Sequence, residues 1–352
     1  MMSTASLQPS QPVDERLSRV TPISRLLRRP ELGALLGALA VFVLFAWSDQ
    51  TGQFAGLNGA ARWTDSASTL GIMAVAVAML MIGGEFDLSA GVMVGSTGLL
   101  LGLLVTQWNL SMWPAIVITF VFAAAIGFMN GWLVMRTRLP SFIVTLATFF
   151  ALRGINLGLT KQITGTVRVA GIDSASGFDS ARALFAGTFW QPYGFQITVI
   201  WWLIVTGVAT WVLTRTRGGN WIYAVGGDAN AARNTGVPVL RTKIMLFMTT
   251  SMAAALVGTM TALRLRSVQA GQGVGEEFTY IIAAVVGGCL LTGGFGSAIG
   301  ASIGALIVGQ AFIGIAFAGW NTDWNYLFLG LILFMAVMVN TVVRRRAEGS
   351  RR

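Results

Sequence analysis

The 352-residue sequence contains no histidine, and this absence excludes several kinds of chemistry. Without histidine the chain cannot form a Ser–His–Asp triad, a histidine proton relay or a histidine-ligated metal site. Its single cysteine, Cys289, lies inside an apolar run, so neither an internal disulfide nor a cysteine-based metal site can form. We therefore expect no histidine-based catalytic residues and no histidine- or cysteine-ligated metal site in this chain.

Charged residues are also scarce: they make up 11% of the chain, whereas a typical soluble domain has about 25%. Hydrophobic residues reach 55%, and the mean hydropathy is +0.70. They occur in uninterrupted runs of roughly 20 residues, the length that an α-helix needs to cross a bilayer. Barrel strands would be about half as long and would alternate apolar with polar residues. The composition therefore predicts an all-α integral membrane protein.

The apolar runs predict about ten transmembrane helices in one domain over residues 32–343. The eighth run is short and rich in glycine, which favours a broken or re-entrant helix. Residues 1–31 are predicted to be a polar N-terminal tail, since they lack the apolar core and cleavage site of a signal peptide. Residues 344–352 are predicted to be a basic C-terminal tail. The ten runs lie at about 32–48, 67–83, 88–106, 113–135, 140–160, 194–213, 243–263, 278–293, 297–319 and 325–343.

Lysine and arginine are distributed unequally between alternate loops. If the N-terminus is cytoplasmic, 17 of the 24 basic residues lie on the cytoplasmic side, 6 lie outside, and Arg153 lies within the fifth span. Cytoplasmic loops carry an excess of basic residues, so both termini are predicted to be cytoplasmic in a multi-pass protein of the inner membrane. The net charge of +10 is thus explained by topology, and we expect lipid, not nucleic acid, as a partner.

Two segments align without gaps at an offset of 192 residues. Residues 84–87 (GEFD) lie opposite 276–279 (EEFT), and the Val-Gly pair at 94–95 lies opposite the Val-Gly pair at 286–287. The segments are five spans apart and so cross the membrane in opposite senses. This pattern predicts a five-plus-five inverted repeat, in which the third and eighth spans flank the substrate pathway. The alternative is a chance likeness between two glycine-rich segments.

Four stretches resemble a known family, in the family's order and at similar spacing. They are GGEFDLSAG at 83–91, LPSFIVTLATFFALRG at 139–154, YAVGGDANAARNTGV at 223–237 and FTYIIAAVVGGCLLTGGFGSAIG at 278–300. Over about residues 67–343 the chain resembles the permeases of bacterial ATP-binding-cassette importers for ribose, xylose, galactose and related monosaccharides. It departs from the family pattern at Asn230, where glutamate is usual, and at Glu85, where an apolar residue is more frequent.

The resemblance implies a transporter subunit, not an enzyme, that imports a monosaccharide or a related polyol. The sequence has no G-x-x-x-x-G-K-[ST] phosphate loop, so ATP and Mg²⁺ are expected on separate ATPase subunits and no cofactor is expected on this chain. The other implied partners are a second permease copy, identical or paralogous, and a periplasmic or lipoprotein substrate-binding protein. The rival hypothesis is an ion-coupled secondary transporter that works alone and uses Glu85, Asp87 or Glu277 as its ion site.

The connecting segment, residues 214–242, is the longest predicted cytoplasmic loop. Gly218 and Gly219 are predicted to break the preceding helix, and Asp228 is predicted to cap a short helix that ends before Pro238. The resemblance implies that this helix docks on the ATPase, and the alternative is a solvated loop. The predicted docking residues are Gly227, Asp228, Asn230, Ala231, Ala232, Arg233 and Gly236.

Charged residues near the bilayer core usually face a cavity or a partner because burial of an unpaired charge in lipid is costly. Glu85, Asp87 and Ser89 therefore either line the pathway or cap the third helix. Arg153 lies roughly 20 Å along the fifth span and is expected to pair with Glu277, unless it extends to the surface. The predicted pathway residues are thus Glu85, Asp87, Ser89, Arg153 and Glu277.

Overall fold

The computed structural model describes residues 30–349, and it describes side chains from residue 31 to residue 338. Residues 1–29 of the predicted N-terminal tail and residues 350–352 lie outside the described part. Within that part the chain forms thirteen α-helices and four very short strands, which confirms the predicted all-α membrane fold.

The first five helices are α1 Pro30–Ser48, α2 Leu57–Ile82, α3 Ala90–Thr106, α4 Met112–Thr137 and α5 Ser141–Thr164. Next come β1 Arg168–Ala170, a 3-10 turn Ile172–Ser174, α6 Phe178–Phe185, β2 Thr188–Phe189, β3 Phe195–Gln196 and α7 Thr198–Arg215. The chain continues through α8 Arg217–Gly227, α9 Ala229–Asn234, α10 Val239–Leu265 and β4 Ser267–Gln269. It ends with α11 Glu276–Val286, α12 Ala298–Phe317 and α13 Trp324–Gly349.

Seven described helices, α1, α2, α4, α5, α7, α10 and α12, are long and apolar enough to cross a membrane. Two shorter apolar helices follow the same pattern, namely α3 and the Trp324–Met338 part of α13. Helix α11, in the predicted eighth span, has only 11 residues. It rises about 16 Å, roughly half of a 30 Å hydrocarbon core. The count of ten crossings therefore remains a prediction.

Helix α2 begins at Leu57, ten residues before the predicted start of the second span. Hydropathy missed this part because it contains polar side chains. These side chains find partners nearby and across the bundle: the Trp63 indole donates to the Phe54 carbonyl at 3.2 Å, the Thr64 hydroxyl donates to the Ala60 carbonyl at 2.6 Å, and Asp65 accepts from Arg264 of α10 at 2.7 Å. From Ala67 to Ile82 every residue except Thr69 is buried. Helix α2 is therefore the central helix of the bundle.

Small residues allow the central helices to approach closely. A Cβ atom added at Gly309 of α12 would lie 2.7 Å from the Cβ atom of Ala67 on α2. A Cβ atom added at Gly127 of α4 would lie 2.7 Å from the Cα atom of Met248 on α10. Such backbone approaches replace the hydrophobic driving force that lipid cannot provide between helices.

The two ends of the bundle carry different structures. At one end, called the α9 end, α8 and α9 lie beside the C-terminal end of α2. At the other, called the strand end, β1 pairs antiparallel with β4, and the β2–β3 hairpin follows α6. Helix α10 joins the two ends, since it follows α9 and runs directly into β4.

The predicted repeat alignment does not match the local structure. Gly84 follows the end of α2, whereas Glu276, which lies opposite it at the offset of 192, begins α11. A closer likeness joins Gly84 (φ +81°) with Gly288 (φ +94°), since each is the second residue after a helix. The next residue repeats the likeness: the Glu85 amide donates to Leu80 at 3.2 Å, and the Cys289 amide donates to Ala284 at 3.0 Å. The helix ends at Gly84 and Gly288 are thus alike, and the five-plus-five repeat remains a prediction.

Candidate functional site

The connecting segment folds as two helices. Helix α7 ends at Arg215, and Thr216 caps α8 by accepting a hydrogen bond from the Gly219 amide at 3.1 Å. The prediction that Gly218 and Gly219 break the helix is wrong, because both residues lie in the first turn of α8. The hydroxyl cap sets the boundary two residues earlier than the glycine pair.

The short helix α9 is capped as the sequence predicts. One carboxylate oxygen of Asp228 accepts hydrogen bonds from the amides of Asn230 at 2.8 Å and Ala231 at 3.0 Å. Ala232 is buried against the bundle, where it clusters with Val225 and Val239. The exposed members of the predicted docking set are Gly227, Asp228, Asn230, Ala231, Arg233 and Gly236. Helix α9 thus has one face anchored by Ala232 and one face open.

Helix α8 ties this segment to the membrane helices. The Tyr223 hydroxyl donates to the carbonyl of Gly296 at 2.9 Å, and burial raises the pKa of Tyr223, so the hydroxyl keeps the proton that it donates. A Cβ atom added at Gly226 would overlap the carbonyl oxygen of Ile82 and lie 2.7 Å from the Gly294 nitrogen. Movement of α8 therefore acts directly on the backbone at the end of α2 and in the loop between α11 and α12.

An ion pair that the sequence analysis missed lies beside α9. The ammonium group of Lys243, in the second turn of α10, pairs with the carboxylate of Glu85 between α2 and α3, and the two side chains are only 12% and 11% exposed. The pair lines a polar cavity of about 580 Å³ together with Arg138, Asn230 and Arg233. Lysine at 243 was counted only as a topology signal. The one sequence clue was the unusual charge at Glu85.

Residues 86–89 enter the bundle as non-helical backbone. The Phe86 amide donates to the Ser141 hydroxyl at 3.1 Å, and the Leu88 amide donates to the Thr145 hydroxyl at 3.0 Å. Because Ser141 and Thr145 are one turn apart on α5, the segment follows that helix. Irregular backbone is tolerated at membrane depth only where protein groups satisfy it, and α5 provides those groups.

Asp87 and Ser89 belong to a buried polar network. The Asp87 carboxylate accepts hydrogen bonds from the Ser89 amide at 2.8 Å and the Ser89 hydroxyl at 2.5 Å. The Asn130 amide donates to the Ser89 hydroxyl at 3.0 Å, and the Thr148 hydroxyl donates to Asn130 at 2.7 Å. Ser89 occupies the N-cap position of α3, but neither it nor Asp87 makes a side-chain cap. The network instead joins α3 to α4 and α5.

Replacing Asn130 with alanine should lower the stability of the purified protein. The change removes both links of the network, and interhelical hydrogen bonds in membrane proteins contribute about 0.6 kcal/mol on average and up to about 1.7 kcal/mol. Thermal unfolding in detergent is the measurement. Thr137→Ala is the matched control, because the exposed Thr137 hydroxyl makes only local hydrogen bonds, donating to the Leu133 carbonyl and accepting from the Leu139 amide. Equal melting temperatures for the two variants would contradict the prediction.

Glu277 and Arg153 do not form the expected ion pair within the described part of the chain. Glu277 is 3% exposed, and its carboxylate accepts a hydrogen bond from the Gly275 amide at 3.0 Å. Arg153 is exposed on α5. The backbone at Gly91, near the start of α3, lies against the Glu277 carboxylate. The starts of α3 and α11 therefore meet inside the bundle. A pathway role for the five predicted residues remains a prediction.

Among the described residues, no three His, Cys, Asp or Glu side chains come together in a way that could hold a metal ion. The site consists of the exposed short helix α9 and the Glu85–Lys243 ion pair beside it. Tight backbone contacts connect this region to α2 and to the α11–α12 loop, and the starts of α3 and α11 meet inside the bundle.

These features define a polytopic membrane protein with an exposed connecting helix, and comparison with known proteins gives its family. The family model for the permease component of branched-chain amino acid transport systems matches residues 59–337, so the chain belongs to this family.

Curated relatives extend the comparison over most of the chain. The xylose transport system permease protein XylH of Escherichia coli K12 is 31% identical, over 88% of this chain and 91% of its own. The ribose import permease protein RbsC of the same strain is 30% identical, over 90% of this chain and 94% of its own. XylH of Haemophilus influenzae is 28% identical, over 89% of this chain and 96% of its own. No solved structure matches this chain.

Proposed function

We propose that this chain is the membrane permease subunit of an ATP-driven importer of a monosaccharide or a related polyol. The observation that carries the proposal is the match over nearly the whole chain to permeases named for xylose and ribose transport. The capped helix α9, with an open face at one end of the bundle, supports it. A short helix with an open face is a suitable element for a groove on a partner subunit.

In this proposal the α9 end is cytoplasmic and the strand end faces outward, in accord with the excess of lysine and arginine in the loops at the α9 end. ATP and Mg²⁺ bind to two separate ATPase subunits, which dock on α9. A second permease copy, identical or paralogous, completes the membrane part. A substrate-binding protein delivers sugar at the strand end of the inner-membrane complex.

The chain's own part in transport is to pass on motion. Closure of the ATPases displaces α9 and α8 together, because Ala232 of α9 packs against Val225 of α8. Gly226 transfers the displacement to the end of α2 and to the loop between α11 and α12. The Glu85–Lys243 pair transfers it to the segment that leads into α3. Helices α3 and α11, whose starts meet inside the bundle, then change their relative positions.

Substitution of Ala231 by tryptophan tests the docking role of α9. Ala231 is exposed, so the bulky side chain should leave the bundle intact and obstruct the partner's groove. Loss of a central interface contact costs about 2 kcal/mol or more. We therefore expect at least a tenfold fall in co-purification of the ATPase subunit and a matching loss of ATP-dependent sugar uptake in vesicles.

The matched control is Ala183→Trp, at an exposed alanine of α6 near the strand end. This variant should bind the ATPase normally. Co-purification that survives Ala231→Trp would show that α9 is not the docking element. Uptake assays should include L-leucine beside D-xylose and D-ribose, because the family model is named for amino acid transport. Uptake of leucine alone would overturn the sugar assignment, and uptake without ATP would favour an ion-coupled transporter.

A further inference from the structure

A cavity of about 290 Å³ lies between α2, α3, α10 and α11, toward the strand end of the bundle. Asp65 of α2 and Arg264 of α10 form an ion pair at 2.7 Å on its wall. Asp65 lies about 12 Å from the start of α2 at Leu57, and Thr69, one turn further, also lines the cavity. The cavity therefore reaches into the membrane interior from that end.

Several polar groups point into this cavity without a hydrogen-bond partner. In the described part of the chain, no side-chain hydrogen bond involves Glu276, Gln272, Tyr280 or Thr69, although all four line the cavity. Glu276 is exposed to it, Gln272 and Thr69 are partly buried, and Tyr280 is 5% exposed. The buried Tyr280 hydroxyl is costly to leave unpaired unless water or a ligand satisfies it, and the more exposed carboxylate, amide and threonine hydroxyl are free to bind the same ligand. Their convergence marks a site built to hydrogen-bond something.

The chemistry of the lining selects the class of ligand. Carboxylate, amide and hydroxyl groups suit a ligand with many hydroxyls, and the apolar rings of Tyr280 and Phe312 offer faces for its C–H groups. The charged residues are Asp65, Glu276 and Arg264, and Arg264 is already paired with Asp65. The cavity thus carries one net negative charge and has no unpaired cation to hold a carboxylate. This disfavours sugar acids and amino acids.

We propose that this cavity is a sugar-binding site within the permease, in which Glu276, Gln272 and Tyr280 contact a neutral monosaccharide or polyol. Its volume is close to the lower end of about 300 Å³ for small-molecule pockets, so it holds one small ligand. The inference rests on the proposed import function and extends it, because it names residues of this chain that contact the substrate. Because Glu276 is the first residue of α11, a ligand bound in the cavity contacts the start of that helix directly.

The test uses ligand protection of engineered cysteines in the complex with its ATPase subunits, reconstituted in proteoliposomes and supplied with its substrate-binding protein, so that sugar uptake is measured in the same preparation. The native Cys289 is 1% exposed and does not interfere. Thr69→Cys and Gln272→Cys should each react with a cationic, water-soluble methanethiosulfonate reagent. D-xylose or D-ribose should slow both reactions at least fivefold, and D-xylonate and L-leucine should not. Ser176→Cys, at an exposed position near α6, should react at the same rate with or without sugar.

Glu276→Gln, made in the Gln272→Cys background, tests the carboxylate directly. Weakening a charge-assisted hydrogen bond should raise the sugar concentration for half-protection by about tenfold. Asp173→Asn is the matched control, because Asp173 is an exposed acid at the strand end that pairs with Arg266. It should leave protection unchanged.

Transport in the same preparation separates the two proposals. Cysteines that react unprotected while the complex takes up sugar would overturn the cavity assignment and leave the import function standing. Absence of ATP-dependent sugar uptake would instead overturn the import function. Protection by xylonate or leucine, or an unchanged half-protection concentration in Glu276→Gln, would overturn the assigned ligand class or contact. Two cysteine positions, Thr69 and Gln272, are used so that the test can still be carried out at one of them if the other variant misfolds.

Discussion

Reversal of the charge at Glu85 (Glu85→Lys) should lower sugar uptake at least tenfold while the ATPase subunits still co-purify. The new lysine would face Lys243, Arg138 and Arg233 in one cavity with no carboxylate partner. Breaking an ion pair costs up to about 1 kcal/mol at the surface and roughly 3–5 kcal/mol when it is buried. With 11–12% side-chain exposure, the Glu85–Lys243 pair is near the buried case. The open face of α9 is unchanged, so docking should persist.

The double reversal Glu85→Lys with Lys243→Glu should restore much of the lost uptake, because the pair is rebuilt with opposite polarity. Asp173→Lys serves as control, since the Asp173–Arg266 pair is longer, at 3.4 Å, and its side chains are 40% and 52% exposed. It should change uptake little. If the single reversal transports like the native chain, or the double reversal recovers nothing, then the ion pair does not transmit motion.

Gly226→Ala should destabilise the protein strongly, whereas Gly227→Ala should not. A Cβ atom at Gly226 would overlap the Ile82 carbonyl, and overpacking of this kind costs about 1–3 kcal/mol. At Gly227 no atom lies within 4 Å of the added Cβ. Intrinsic helix propensity favours alanine over glycine at both positions by about 0.5–1 kcal/mol, so propensity alone would predict the same small gain for both.

The measurement is thermal unfolding of the two variants in the same detergent, together with sugar uptake in vesicles. Gly226→Ala should show a lower melting temperature and reduced uptake, because α8 is pushed away from the end of α2 and from the loop between α11 and α12. Gly227→Ala should melt at or slightly above the native temperature. Similar melting temperatures for both variants would rule out the tight contact between α8 and α2.

The sequence predicted the membrane helices well because length and hydropathy are local properties. It failed where polar residues lie inside a helix: residues 57–66 of α2 were assigned to a loop because the partner of Asp65 lies 199 residues away on α10. It also assigned the helix break to Gly218 and Gly219, although glycine weakens a helix without ending it. The Thr216 hydroxyl, which a cap rule could have identified, sets that boundary.

The candidate site was predictable in part. The Asp228 cap depends on residues two and three positions away and was found from the sequence. The Glu85–Lys243 pair depends on residues 158 positions apart, so only the unusual charge at Glu85 pointed to it. Arg153 and Glu277 were expected to pair because Arg153 lies in the outer half of the fifth span and Glu277 at the outer edge of the eighth. The Gly275 amide satisfies Glu277 instead, a backbone donor that side-chain patterns do not show.

The shortness of α11 has a consequence for biogenesis. A nascent segment of 11 residues with two glutamates in its first turn cannot partition into lipid alone, because charge near the bilayer centre opposes insertion. Helices α10 and α12 are long and apolar enough to insert by themselves. The chain between them must then be drawn in afterwards by its contacts, such as those of Gly91 with Glu277 and of Gly287 with Gly300. Maturation of this subunit therefore ends with the entry of the segment that carries the two glutamates.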